Sequence, residues 1–292
     1  METRWNDAQF TATLENLVWT ASPVVRRYLH LLVTGDPNCD WATYVEWRHL
    51  SPSLDRALVL GCGSGRFERA LAERGRFRSI VACDFAQETV EKARRSAQET
   101  GLATIEYRIV DLERETLGGP YDAVFANDVL HHITNLEGLY GRIHEALSPE
   151  GKLFFCEYVG PNRFQYSDER MELVNRYLRV LPDRLRLDPL TGETLWRRER
   201  LSAEKVEQDD PTEAVRSRDV LPLARQAFRA EAEYPSGGGL LNPLLFGLIA
   251  NFLEGAPEDD GLLRLLCDAE DRLTRSRRLE PDFLVFAGRR RN

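Results

Sequence analysis

LVLGCGSGRFE, residues 58–68, decides how this chain is read. A short apolar run ends at Leu60, meets Gly61, Gly63 and Gly65 on alternate positions, and then turns charged. Backbone that bare, directly after a strand, can turn tightly and let a ligand approach the main chain. The helix that follows adds oriented N–H groups. Such a turn suits a dinucleotide or another adenosine-containing cofactor. A dinucleotide fingerprint is GxGxxG, with the pyrophosphate on the helix N-terminus. Here Arg66 and Phe67 stand where the third glycine would fall, and a GxGxG loop suits a cofactor without a pyrophosphate.

Outward from this loop, strand and helix patterns alternate. Strands are expected at 56–62, 79–85, 105–112, 121–128 and 152–160. Helices are expected at 65–75, 86–101 and 136–151, the first two stopped by Gly75 and Gly101. That rhythm implies a parallel sheet covered on both faces. After Gly160 it breaks. Residues 161–222 are charged and mostly helical, with an irregular look over 181–202. Strands return at 228–235 and 282–290, separated by an apolar helix after the glycines at 236–253 and a further helix at 259–275. Residues 1–50 read as helical, with apolar positions such as Leu14, Leu17, Val25 and Leu29. The core is therefore placed at 55–160 plus 220–292, with 1–50 and 161–222 as accessory segments.

Composition sets outer bounds. The chain has 292 residues, 42% of them hydrophobic, which suits one large globular domain or two modest ones. No apolar run reaches the length of about 20 residues that spans a bilayer, and the N-terminus lacks a basic-then-apolar signal pattern. A cytoplasmic protein without a membrane partner is expected. A formal net charge of -8 argues against a general nucleic-acid binder. The five cysteines, Cys39, Cys62, Cys83, Cys156 and Cys267, show no CxxC spacing, so they read as small buried hydrophobes and not as a metal or disulfide framework.

Two acids follow the loop at informative distances. Asp84 ends the second expected strand, where an acid accepts hydrogen bonds from ribose hydroxyls or caps the next helix. Asp111 ends the third, where it can meet an adenine amino group or cap the strand end. Phe85 can pack on the adenine or in the core.

The stretches ALVLGCGSG, VACDFA, YRIVDLE, YDAVFANDVLHHI and LSPEGKLFFCEYVGPNRFQ occur in the order and spacing of class I S-adenosylmethionine-dependent methyltransferases, which this chain resembles strongly over about 55–165. EYVGPNRFQ, DPTEAVRSRDVLPL and WTASPVVRRYL further resemble a bacterial subgroup acting on small molecules. The resemblance implies an α/β fold: a Rossmann-like, seven-stranded, mostly parallel sheet with helices on both faces and an antiparallel last strand. To this are added a helical N-terminal segment (1–50) and, within a methyltransferase domain at 51–292, a lid insertion at about 161–222. It implies S-adenosylmethionine as cofactor and S-adenosylhomocysteine as product. Gly61, Gly63 and Gly65, with Cys62 between them, would lie against the methionine part of the cofactor. Asp84 would hold the ribose, Asp111 and Leu112 would border the adenine beside Phe85, and Asn127 would approach the sulfonium.

Methyl transfer from a sulfonium is an in-line displacement with a neutral leaving group, so the protein mainly aligns the reactants and excludes water. A base is needed only for a protonated nucleophile. His131 and His132 in NDVLHHITN follow the fourth strand and are the candidate bases, although in this family the pair often shapes the pocket instead. No third ligand stands near them in sequence, so no metal is expected. Glu157 and Tyr158 end the fifth strand. Glu157 reads as a base, a substrate ligand, or a buried carboxylate paired with Arg163 or Arg216. Arg163 offers a planar fork to an anionic substrate group. The arginines of 176–200 read as a solvated surface or an anion patch, and Trp5, Trp19, Trp41, Trp47 and Trp196 as packing or pocket lining. The apolar 240–253 segment reads as a core helix, a homodimer contact or a substrate wall.

The function these features support is methylation of a small molecule, first of a sugar or natural-product hydroxyl, with N- or C-methylation open. ANDV after strand four is not the (N/D)PPY pattern of amine methylation. The competing classes are a nicotinamide-dependent oxidoreductase, a non-catalytic cofactor-binding module and an RNA methyltransferase.

Overall fold

The computed structural model of the protein describes residues 16–189 and 191–291. Trp5 and Leu14 lie outside them. Seven strands form one sheet: β1 (Leu54–Leu60), β2 (Phe77–Asp84), β3 (Ile105–Ile109), β4 (Tyr121–Asn127), β5 (Leu147–Tyr158), β6 (Phe228–Pro235) and β7 (Phe283–Arg290). Their order is β3-β2-β1-β4-β5-β7-β6. β7 runs antiparallel to both of its neighbours and the other six strands are mutually parallel. This is the Rossmann-like sheet with an antiparallel last strand that the sequence led us to expect.

The helices are α1 (Pro23–Thr34), α2 (Trp41–His49), α3 (Arg66–Glu73), α4 (Gln87–Glu99), α5 (Leu136–Ala146), α6 (Asp168–Val180), α7 (Ala203–Asp209), α8 (Ser217–Ala227), α9 (Leu241–Leu245) and α10 (Pro257–Arg275). Strand residues alternate between two cores, because successive side chains point to opposite faces. Leu58, Leu60, Val81, Val124 and Phe155 face one side, under Leu139 and Ile143 of α5 and Val220 and Ala224 of α8. Ala57, Val59, Ile80, Phe125 and Phe154 face the other, under Leu71 of α3, Val90 and Ala93 of α4, and Val45 of α2. Burial on both faces is what makes the central strands read as nearly continuous apolar runs.

A third apolar cluster joins the accessory segments. Trp19, Val25 of α1, Val174 and Leu178 of α6, Leu241 and Leu244 of α9, and Leu263 and Leu266 of α10 pack together. The α6 segment is also tied to the start of β7, where Arg170 Nη1 lies 2.7 Å from both oxygens of the buried Asp282.

Several expectations shift. The apolar 240–253 stretch is not one helix: α9 ends at Leu245, Gly247 takes a φ of +78°, and a 3-10 turn follows at Leu248–Asn251. Its leucines fill the third cluster, which is the core role of the three considered. The helix expected to run to residue 151 stops at Ala146, because Ser148-Pro149 cannot continue it, and β5 starts at Leu147 by pairing with Tyr121. β3 is short, so Asp111 lies two residues beyond its end. Of the tryptophans, Trp19 is buried and Trp41 stacks on Phe67 at 5.4 Å, whereas Trp47 and Trp196 are exposed. The arginines of 176–200 mostly meet acids: Arg176 and Arg179 with Glu172, Arg184 with Asp259, Arg186 with Asp183, Arg200 with Asp168. That is the pattern of a solvated, salt-bridged surface.

Candidate active site

The chain builds β1, β2 and β3 outward on one side, then crosses to β4 on the other. In open α/β sheets ligands bind beyond the carboxyl ends of the strands, at this switch point between β1 and β4. Gly61 follows β1, Asp84 ends β2, Asn127 ends β4 and Glu157 lies at the end of β5, so the topology gathers them on one rim.

The loop glycines do different work. Gly61, at φ +61°, allows close packing: a Cβ there would sit 2.5 Å from Val129 Cγ2. Gly63, at φ +50°, would carry its Cβ into open space, with nothing within 4 Å. Gly65, at φ +80°, is the N-cap residue of α3. Asp84 fixes this loop. Its Oδ2 accepts from the Gly63 amide at 3.0 Å, and its Oδ1 accepts from the Ala86 amide at 3.1 Å, just before α4. Burial raises its pKa, against the pull of those amides.

The rim fits an adenosine-type cofactor on observations of its own. Asp84 pairs with Ile109 across β2 and β3, and both Phe85 and Ile109 at these strand ends are about half exposed, at 50% and 51%. Two large apolar side chains left in water beside an open glycine suit the flat face of a base. Asp111 Oδ1 accepts from the Glu113 amide at 2.9 Å, a turn cap that leaves the residue half-buried on the same rim. Leu112 differs from expectation: its side chain is buried in the first core, and its carbonyl accepts from Arg142. Cys62 is likewise buried, which raises its thiol pKa well above the ordinary range. Asn127 is half-buried, and its Nδ2 donates to Asp128 Oδ2 at 3.0 Å.

The second half of the rim is built around Glu157, which is fully buried. Its Oε1 accepts from the Val129 and Leu130 amides at 2.6 and 2.7 Å, capping the 3-10 turn Leu130–His132. Its Oε2 lies 2.8 Å from His131 Nδ1. Glu157 therefore pairs with neither Arg163 nor Arg216, and both its oxygens are committed to the chain, which leaves it positioning His131 and not touching substrate. Burial pushes the His131 pKa down, but the bond and charge of Glu157, then the charges of Glu213 and Asp128, outweigh it and raise it to about 9. His132 is pushed the other way, first by burial and then by the His131 charge. The two rings lie 4.3 Å apart, so one carries the charge and the other stays neutral.

Tyr158 and Arg163, expected at the substrate, instead hold the insertion in place, Tyr158 against the sheet and Arg163 across the insertion itself. Tyr158 is buried, donates to the Pro161 carbonyl at 3.0 Å, and packs against Phe164 and Phe283. Arg163 spends its guanidinium on the carbonyls of Asp210, Glu213 and Pro211, at 3.2, 2.9 and 2.7 Å. Arg216 pairs with Glu137 and Asp219.

Three residues here were not singled out from the sequence. Asp128 holds φ +52° at the end of β4. Thr212 and Glu213 come from the insertion, and the Val215 amide donates to the His131 carbonyl at 3.1 Å to bring that segment in. DPTEAVRSRDVLPL contains both residues, but a contact across 80 residues of chain leaves no local signature. Four of the five non-glycine residues with positive φ among those described, Asp128, Arg163, Phe164 and Ala214, surround this junction. Such backbone is costly and tends to gather at working sites.

Comparison with known proteins agrees with this rim. Residues 58–155 match the family described as Methyltransferase domain. Ubiquinone biosynthesis O-methyltransferase of Xanthomonas axonopodis pv. citri (strain 306) is 33% identical over 113 residues, 38% of this chain and 46% of that protein. The match thus spans less than half of that relative's length. Among solved structures, the [4+2]-cyclase SpnF superposes with a TM-score of 0.51 at 17% identity, over 97% of this chain and 96% of that one. Geranyl diphosphate C-methyltransferase from Streptomyces coelicolor A3(2), in complex with Mg2+, geranyl diphosphate and S-adenosyl-L-homocysteine, superposes with 0.52 at 11% identity, over 84% and 78%. Both share the fold. Residues 58–155 thus carry the match to a methyltransferase domain, within the fold that these structures share. The cofactor of that family is S-adenosylmethionine, and the rim of Gly63, Asp84 and Phe85 suits it. No helix among the described residues is long and apolar enough to cross a membrane.

Proposed function

We propose that the protein methylates a hydroxyl of a small molecule with S-adenosylmethionine. The observation that carries the reading is the pairing of two features on one rim: the open Gly63 beside Asp84, and the His131–Glu157 pair two strands away. The cofactor, when bound, supplies an activated methyl group, so this chain has little covalent chemistry to perform.

Its residues divide the remaining work. Gly63, Asp84, Phe85 and Asp111 bind and orient the adenosine end. Asn127 and Asp128 border the reacting end. The segment 161–222 acts as a lid: Tyr158 packs it on the sheet, Arg163 ties its two ends together, and it carries Glu213 over the histidines. An enclosed acceptor is a small one. The cluster of His131, His132 and Glu213 faces the acceptor and promotes the loss of its proton. The O-methyltransferase name of the sequence relative supports an oxygen nucleophile, and ANDV in place of the amine-binding pattern argues in the same direction.

A panel of phenols, catechols, sugars and aliphatic alcohols, incubated with methyl-labelled cofactor, tests this. The expected result is label transfer to a hydroxyl acceptor and loss of transfer in His131→Ala. Transfer only to amines or carbon acids would replace the oxygen assignment.

A further inference from the structure

We propose that His131, His132 and Glu213 form a binding site for one divalent transition-metal ion, placed to receive the oxygen of the methyl acceptor. The three side chains come from two distant parts of the chain, and one ligand atom from each lies within 4.8 Å of the others. Glu213 Oε1 is 3.7 Å from His131 Nε2, and Glu213 Oε2 is 3.9 Å from His132 Nε2. Those separations are too long for hydrogen bonds. Ligands at about 2.1 Å on a tetrahedral ion stand about 3.4 Å apart, so atoms that lie up to 4.8 Å apart here would draw together by up to about 1.4 Å to close the site.

The opposite ring nitrogens explain why both Nε2 atoms serve as ligands. Glu157 can only accept, so His131 Nδ1 donates to it at 2.8 Å. The Thr212 hydroxyl donates to Asp210 Oδ1 at 2.8 Å and so accepts from His132 Nδ1 at 3.1 Å. Each imidazole is thereby held through Nδ1, with its Nε2 turned toward the Glu213 carboxylate. A metal-binding histidine whose other nitrogen is held by a carboxylate or hydroxyl is a recurring arrangement that fixes the tautomer and ring direction.

The donor set selects the ion. Two imidazoles and one carboxylate suit zinc, iron(II) or manganese(II) with positions left open, and not calcium or magnesium, which take oxygen ligands. The sequence suggested no metal because the histidine pair has no third ligand nearby; Glu213, on the insertion, supplies it.

The use of the ion rests on the methyl-transfer reading above. An acceptor hydroxyl in an open position is acidified and releases its proton to solvent near neutral pH. The acceptor oxygen then forms the O–CH3 bond with its lone pair as the S–CH3 bond breaks. The electron pair of that bond stays on sulfur, which becomes a neutral thioether.

The test uses the full chain after chelation and dialysis. Zn2+ is titrated calorimetrically into the wild type and into Glu213→Gln, and Co2+ is added to each for visible absorption spectra. The expected result is one ion per chain, with affinity lowered at least about 100-fold in Glu213→Gln. Wild type should show cobalt ligand-field bands that the variant lacks, and S-adenosylhomocysteine affinity and melting temperature should be equal in the two proteins. Zinc binding that is absent in the wild type, or unchanged in Glu213→Gln, overturns the proposal and leaves a proton as the shared cation. Zinc binding without S-adenosylhomocysteine binding keeps the metal site and removes the methyl-transfer reading instead.

Discussion

Glu157 Oε2 lies 2.8 Å from His131 Nδ1, and the same carboxylate caps the turn that carries the histidine through two backbone amides. One buried side chain thus sets both the backbone and the ring direction at the candidate active site. Glu157→Ala leaves two amides and an imidazole unpaired in the interior and is expected to cost about 3–5 kcal/mol, as breaking a buried pair does. Glu157→Gln keeps an acceptor for the amides but turns an NH2 group toward His131. It should fold with a loss of about 1–3 kcal/mol and show a much larger fractional loss in turnover than in cofactor affinity. Urea denaturation and S-adenosylhomocysteine titration on both variants measure these effects.

The glycine loop separates packing from binding. Gly63→Ala adds a methyl group to open space at a positive φ, a backbone cost of about 1–2 kcal/mol, and should reduce S-adenosylhomocysteine affinity by about tenfold or more. In Gly61→Ala the added Cβ meets Val129 at 2.5 Å, so overpacking costs about 1–3 kcal/mol in addition to the backbone term. Melting curves should rank Gly61→Ala as the less stable of the two.

Glu68, fully buried in the first turn of α3, gives a pH signature. Burial raises its pKa to about 7, outweighing the hydrogen bonds of its own backbone amide and of Tyr107. The folded chain therefore holds a proton that the unfolded chain has already released between about pH 4.5 and 7. Stability falls as pH rises through that window, by at most about 3 kcal/mol. Glu68→Gln should remove this slope and raise the melting temperature at pH 8 but not at pH 4.5. Thermal melts of both proteins across the window check it.

Arg163 binds three carbonyls of the 210–213 stretch, which makes it a fastener for the lid. Arg163→Met should increase proteolytic cutting around residues 203–216 and raise KM for charged and neutral acceptors alike. A loss confined to anionic acceptors would return Arg163 to the substrate contact first expected of it.

The sheet was legible because its causes are local. Nearly continuous apolar runs in β1, β2 and β4, the glycine stops, and the acid at the end of β2 each declare themselves within a few residues. β6 matches the expected 228–235 for the same reason. The β4–β5 end of the site was harder to read. Glu157 and Tyr158 stood out as chemical groups, yet only tertiary contacts decide whether a carboxylate or hydroxyl is free. Here two amides, one histidine and the Pro161 carbonyl consume them. Glu213 reaches the histidines from an insertion whose fold depends on Arg163 and Val215, and no spacing rule links residue 131 to residue 213. The 240–253 segment departs from one helix for a local reason: Gly247, at a φ of +78°, breaks it.

The most direct test of the cofactor assignment is calorimetric titration of the purified protein with S-adenosylhomocysteine, with NAD as a parallel control, repeated on Asp84→Asn. Asparagine keeps an oxygen for only one of the Gly63 and Ala86 amides and turns an NH2 group toward the other, so the loop is weakened while the carboxylate that would meet the ribose is lost. The expected result is micromolar binding of S-adenosylhomocysteine, no heat with NAD, and affinity lowered about tenfold or more in Asp84→Asn, with a modestly lowered melting temperature and the fold retained. Binding of NAD in its place, or Asp84→Asn binding S-adenosylhomocysteine as tightly as the wild type, would contradict the assignment of this rim.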